Sequence, residues 1–319
     1  MGSNRRAFEI VVLKKILPFI LLILTACAPA QSVESTPTPI AATSLPASTP
    51  TILVLPITTS TATHIPCDPH VADFCVTDGH FLLRLPIFYP DNTSVDRSYP
   101  YASTENGKRD PHHGVEFSNP FGTPVHAAGD GVVVFAGPDD VAVYSPWRNY
   151  YGNLIDIENE NDLFPLYAHR SKIDVQTGDH VTVGEKIGEV GQTGVAIGSH
   201  LHFEVRRGDA KDYFATVNPE LWLAPRPSFG VISLSVIDAA GKFQRTNIVL
   251  EEYSPSGKML EDYYLDTYDP TLALGNENAA IGGLLAGRYR IALLYDGHVY
   301  QRWVEVKSGK LTEVVIVVR

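Results

Sequence analysis

Cysteine is scarce in this 319-residue chain: there are three, Cys27, Cys67 and Cys75. Their spacing is not that of a thiolate zinc site, so a cysteine-built metal centre is disfavoured. Positive charge is also short. Against 36 Asp and Glu there are 25 Lys and Arg, and the formal charge is -11. That balance argues against a nucleic-acid partner, which would want a basic face, and it means that any binding to anionic polymers must be local. Long apolar runs are missing too. The stretch from Ile16 to Ala26 stops short of the about 20 residues that span a bilayer. Between 109 and 225 no window of helical length keeps a clean helical period. Plentiful Gly and Pro, with recurring Val, Ile, Thr and Tyr, favour strands and turns instead.

The first residues read as a targeting segment. Arg5, Arg6, Lys14 and Lys15 precede the apolar run, which ends in Leu24-Thr25-Ala26-Cys27. That ending resembles the lipobox of bacterial lipoproteins, which implies that residues 1–27 are a signal peptide and that Cys27 carries the lipid. The competing reading is an uncleaved signal anchor with an incidental cysteine. Residues 28–65 are rich in Ser, Thr, Pro and Ala, with too little apolar surface to repay ordering. They read as a disordered tether, or merely as a leader. Cys67 and Cys75 follow the export signal and would meet an oxidising compartment, where a short disulfide is plausible.

Residues 66–108 form an N-terminal extension with one apolar stretch, "HFLLRLPIF", expected to pack on the next domain. From 109 to 225 short strands alternate with Gly-rich turns, in "GTPVHAAGDGVVVFAG", "NLIDIEN", "FPLYAH", "HVTVGEKIGEV" and "HLHFEV". Pro225-Arg226-Pro227 is a break. Residues 228–319 resume with alternating strands at sandwich-like spacing. The predicted fold class is all-β: an antiparallel β-sheet domain followed by a small β-sandwich.

In a strand, alternate side chains share a face. His200, His202 and Glu204 therefore point one way, and Leu201, Phe203 and Val205 the other, into a core. In "DPHHGVEF", His112, Gly114 and Glu116 share a face if the chain is extended, and Gly114 leaves open space where an ion could sit. Two histidines and a carboxylate are a familiar set for a catalytic zinc, whose bound water ionises near neutral pH. His169, at the end of the strand in "LYAHRS", has no such meaning alone. On the same alternation His113 faces away and is structural; His126 is also structural, and His180 lies exposed beside a turn.

Taken in order, "HHGVE", "YAH" and "HLH" resemble the H-x-G-x-D, Y-x-H and H-x-H signatures of the M23 peptidases, the LytM or lysostaphin-like metallopeptidases of bacterial cell wall. The resemblance covers most of 109–207. It implies one Zn2+ held by His112, Glu116 and His202. It also implies two assisting imidazoles, with His200 handling the proton and His169 bonding the oxyanion. The implied activity is endopeptidase cleavage of peptidoglycan peptides by an exported protein, lipid-anchored at the outer face of the cell membrane. One position departs from the pattern: Glu116 stands where the family has Asp, one methylene longer. The C-terminal part loosely resembles the prealbumin-like or carboxypeptidase regulatory-like sandwiches, and reads as a structural or binding module.

Two other functions compete with hydrolysis. The first domain can be a module that binds wall, or regulates other wall hydrolases, without cutting it. Alternatively, recognition can belong to residues 228–319. An upstream segment within 76–108 is the place to look for a plug on the metal. The oligomeric state is not legible.

Overall fold

The computed structural model describes residues 66–319 except 106, 269–271 and 273–274. Cys27, and the signal peptide and tether expected over residues 1–65, lie outside the described residues. The described chain is all-β, with two single-turn 3-10 segments, Glu160–Asp162 and Pro219–Leu221.

A short strand β1 (Cys75–Thr77) comes first. The next ten strands form two sheets. They are β2 (Val115–Ser118), β3 (Pro124–His126), β4 (Gly131–Pro138), β5 (Asn153–Asn159), β6 (Leu163–Ala168), β7 (Arg170–Ile173), β8 (His180–Val181), β9 (Lys186–Val190), β10 (His200–Arg207) and β11 (Thr216–Val217). The larger sheet runs β11-β10-β6-β5-β4-β8, with β2 added on β10; the smaller runs β3-β9-β7. Every pairing in these two sheets is antiparallel.

Alternation along β10 explains its central place. Leu201, Phe203 and Val205 are fully buried and meet Val115, Phe117, Ile155, Ile157 and Tyr167 in one apolar core. Each such side chain contributes about 1.5–3 kcal/mol on burial. The opposite face of β10 is covered as well, by the loops 139–151 and 208–215. These bring Tyr144, Tyr151 and Tyr213 against Leu154, Leu166 and Ala168. The polar residues of β10 are thereby enclosed.

The remaining strands are β12 (Phe229–Ile237), β13 (Asn247–Tyr253), β14 (Met259–Asp266), β15 (Ala279–Leu285), β16 (Gly287–Tyr295), β17 (His298–Val306) and β18 (Leu311–Val317). They make two four-stranded sheets, β1-β18-β12-β15 and β14-β13-β16-β17, around a separate core that includes Ile232, Leu250, Ile291 and Ile316. Strands β12 and β18 are parallel, whereas the other pairs are antiparallel.

The extension divides its loyalties. Cys75–Thr77 pairs with β18 and so belongs to the sandwich, and Cys67 is joined to Cys75 by a disulfide with a Cα–Cα separation of 5.7 Å. The apolar stretch beyond it packs on the other core through Leu83 and Ile87. Arg97 then bridges the two parts, donating to Glu220 at 2.8 Å and to the Gly282 carbonyl at 2.5 Å. The described residues fall in one compact unit.

Candidate metal centre

Strand register brings the site together. Strand β10 lies between β2 and β6, and His202 sits directly opposite Glu116 on one side and Ala168 on the other. Directly opposed residues have adjacent side chains. Glu116 Oε1 is 2.8 Å from His202 Nδ1. His112, just before β2, completes the group: its Nε2 is 2.9 Å from Glu116 Oε1 and 3.2 Å from His202 Nδ1. All three residues are buried. The extra methylene of Glu116 is accommodated, since its carboxylate reaches both imidazoles.

The outer nitrogens of the two rings have acceptors. His112 Nδ1 donates to the Pro100 carbonyl at 3.2 Å, and His202 Nε2 donates to Glu204 Oε1 at 3.0 Å. These partners assign the tautomers. The inner atoms, His112 Nε2, His202 Nδ1 and Glu116 Oε1, are then three lone-pair acceptors facing one another. Such a group is stable only around a shared proton or a cation. These three residues are the one set of His, Cys, Asp or Glu among the described residues able to hold a metal ion together. Two imidazole nitrogens and one carboxylate oxygen fit Zn2+.

Titration behaviour follows from the same crowding. Burial opposes the charge on Glu116, but His202 and His112 hold its carboxyl well below the usual range. Burial also opposes a charge on His202, yet Glu116 and Glu204 raise it to about 10. For His112 burial prevails, and its pKa falls. The pocket thus gathers positive charge between two carboxylates.

His169 and His200 stand beside this group. Their ring centroids are 4.9 Å apart, and that of His169 is 5.6 Å from that of His202. His169 has a left-handed backbone, φ 65°, uncommon for a side chain with Cβ. That turn separates β6 from β7. Its Nδ1 donates to the Thr193 carbonyl at 2.8 Å, and burial, then His202 and His200, depress its pKa to about 3. His200 is half-buried; its Nδ1 donates to the Gly198 carbonyl at 3.1 Å, and its Nε2 is 3.2 Å from Glu116 Oε2. Glu116 Oε2 has no hydrogen-bond partner among the described residues.

All five residues singled out for the site therefore converge. Gly114 has a different reason from the one expected. A Cβ there would lie 2.6 Å from the Phe203 carbonyl oxygen and 2.9 Å from His202 Cε1, so the space is filled by the edge of a ligand ring. His113 turns away, stacked on Tyr213 at 3.8 Å, and His126 stacks on Phe88. His180 is exposed at the start of β8.

Sequence reasoning missed the residues that hold the site in place. Tyr99 stacks on the His112 ring at 3.6 Å and 10°, with the Arg109 guanidinium 3.8 Å over its own ring. Thus the segment upstream of the motif touches the site through a ligand's ring. Glu204, Arg206 and Tyr151 are fully buried around the outer nitrogen of His202. Glu204 was legible as a neighbour on the face of His202; nothing local marks Tyr151 or Tyr99.

The chain is also similar to known proteins. Residues 110–214 match the family described as Peptidase family M23. Peptidoglycan DD-endopeptidase ShyA of Vibrio cholerae is 42% identical over 97 residues, 30% of this chain and 20% of that protein. The uncharacterized lipoprotein YgeR of Escherichia coli is 35% identical over 130 residues, 40% of this chain and 44% of that protein. Among solved structures, a zinc containing peptidase from Vibrio cholerae shares 32% identity, covering 41% of this chain and 38% of that one with a TM-score of 0.33. The chain thus spans less than half the length of these curated relatives. Residues 110–214 are thus similar to Peptidase family M23.

Proposed function

We propose that the chain is a zinc endopeptidase that cuts peptide bonds of bacterial peptidoglycan. The observation that carries this reading is the convergence of three buried lone-pair donors, His112 Nε2, Glu116 Oε1 and His202 Nδ1, beside two further imidazoles. These three residues would hold one Zn2+. When bound, zinc supplies Lewis-acid polarisation of a carbonyl and acidifies water to near neutral pH. The peptidoglycan assignment is supported by the names of relatives such as ShyA.

The chain's own residues supply the proton chemistry. His169 and His200 each commit Nδ1 to a backbone carbonyl, so each neutral ring presents Nε2 as a lone pair. Either can take a proton from attacking water and return it to the leaving amine. The sequence-based division gives proton handling to His200 and places His169 beside the oxyanion. Burial keeps the His169 ring neutral, so the half-buried His200 is the ring assigned to handle the proton, with His169 lining the site beside it.

The remaining assignments belong to the same reading. Residues 1–27 are a signal peptide, Cys27 is the lipidated residue, and 28–65 are the tether. The protein then works outside the cell membrane, attached by lipid. Residues 66–108 are the extension, 109–225 the peptidase domain and 228–319 a sandwich module. The deciding experiment measures zinc per chain and release of peptides from purified sacculi, with and without chelator. One zinc per chain with chelator-sensitive release is the expected result. Tight zinc without cleavage overturns the reading in favour of a binding module.

A further inference from the structure

We infer that Glu204 is a positioning residue for the metal centre, held by Arg206 and Tyr151 so that His202 turns Nδ1 toward the ion. This rests on the metal-site reading above. Glu204 is fully buried and its two oxygens are separately employed. Oε1 accepts from His202 Nε2 at 3.0 Å and from the Tyr151 hydroxyl at 2.6 Å. Oε2 accepts from Arg206 Nε at 2.9 Å and lies 2.8 Å from Nη2. It meets His202 at the nitrogen opposite the ligand atom, so it serves as the ring's acceptor and not as a further ligand.

Arg206 is the anchor of the arrangement. Besides Glu204 it donates to the Ala210 carbonyl at 2.8 Å, the Tyr144 carbonyl at 2.8 Å and the Tyr151 hydroxyl at 2.9 Å. One guanidinium therefore joins both loops that cover this face of β10. Burying such an ion pair is expensive, and well-packed apolar residues often serve stability as well or better. What apolar residues could not supply is an acceptor that fixes the tautomer and angle of His202. A carboxylate on the outer nitrogen also raises the basicity of the ligand nitrogen across the ring.

The test uses the full chain, loaded with zinc alone. Glu204→Gln keeps the volume and removes the charge; its zinc dissociation constant is expected to rise about 10- to 100-fold. The His202 Nε2 proton, followed by NMR of 15N-histidine-labelled zinc-loaded protein, is expected to exchange faster than in the parent. A merely structural role would move neither in a variant whose metal-free melting curve stays cooperative. Should unpaired Arg206 prevent Glu204→Gln from folding, Tyr151→Phe leaves the ion pair intact and is expected to weaken zinc up to about tenfold. A folded variant with the parent's zinc affinity and the parent's proton exchange overturns the inference. If the parent itself takes up no zinc, the metal-site reading falls instead, and it falls first.

Discussion

Replacing Gly114 by alanine tests the geometry of the site without touching a ligand. The added Cβ would stand 2.6 Å from the Phe203 carbonyl oxygen, 2.9 Å from His202 Cε1 and 3.0 Å from His202 Nε2. All three distances are at or below the shortest contacts that carbon atoms tolerate. The carbonyl cannot retreat, because β10 is paired on both sides, with Phe203 opposite Val115 and Tyr167. Either β2 lifts or the His202 ring tilts. Overpacking of this kind costs about 1–3 kcal/mol. For a chain of this size that lowers the metal-free melting midpoint by about 2–12 °C. A tilted ring also strains the bond to Glu204, and loss of such a partner weakens zinc about 10- to 100-fold. Calorimetry without metal and competition titration with a zinc chelator measure the two effects. A variant with the parent's midpoint and the parent's zinc affinity would refute the argument that Gly114 is required by close approach.

Shortening Glu116 to Asp withdraws the carboxylate by about 1.5 Å, one carbon–carbon bond, so zinc affinity is expected to fall about tenfold or more despite the match to the family's usual residue; the same chelator competition reads it. Asp156 is fully buried without a hydrogen-bond partner among the described residues, and burial raises its pKa to about 8. Its folded-state value lies above its unfolded value, so its contribution is present below about pH 4 and is lost as pH rises toward 8. Asp156→Asn should remove that slope, and urea unfolding at pH 5 and pH 8 should show the parent losing more stability than the variant across the interval. Replacing Cys67 and Cys75 by serine removes a short loop closure, worth about 2–3 kcal/mol by chain entropy. The loss is expected locally, as faster amide exchange along β1, with zinc affinity unchanged.

The chemistry of the centre was legible because its donors fall in short motifs whose strand alternation carries meaning. His200 and His202 share a face by period alone, and His112 and Glu116 bracket a glycine. What was not legible lies far away in the chain or in loops without a period. Tyr151 meets Glu204 across 53 positions, and Tyr99 reaches His112 from the extension. Alternation also misled in one respect. It gave β10 a polar face with no sign of a cover, whereas two irregular loops bury Glu204 and Arg206 completely. The all-β class followed from turn and strand composition, but the three residues of β1 are too few to show a pattern. Their pairing with β18, at the far end of the chain, depends on long-range burial that no window reveals.

The place of β1 governs how mechanical load would travel through the molecule. The Cys67–Cys75 crosslink fastens the chain around Cys67 to the strand lying against β18. Tension applied upstream is thus received by the sandwich, across a covalent clasp and a short ladder, before it meets any residue of the cleft. A pull from that side would leave the spacing of the five converging side chains unstretched.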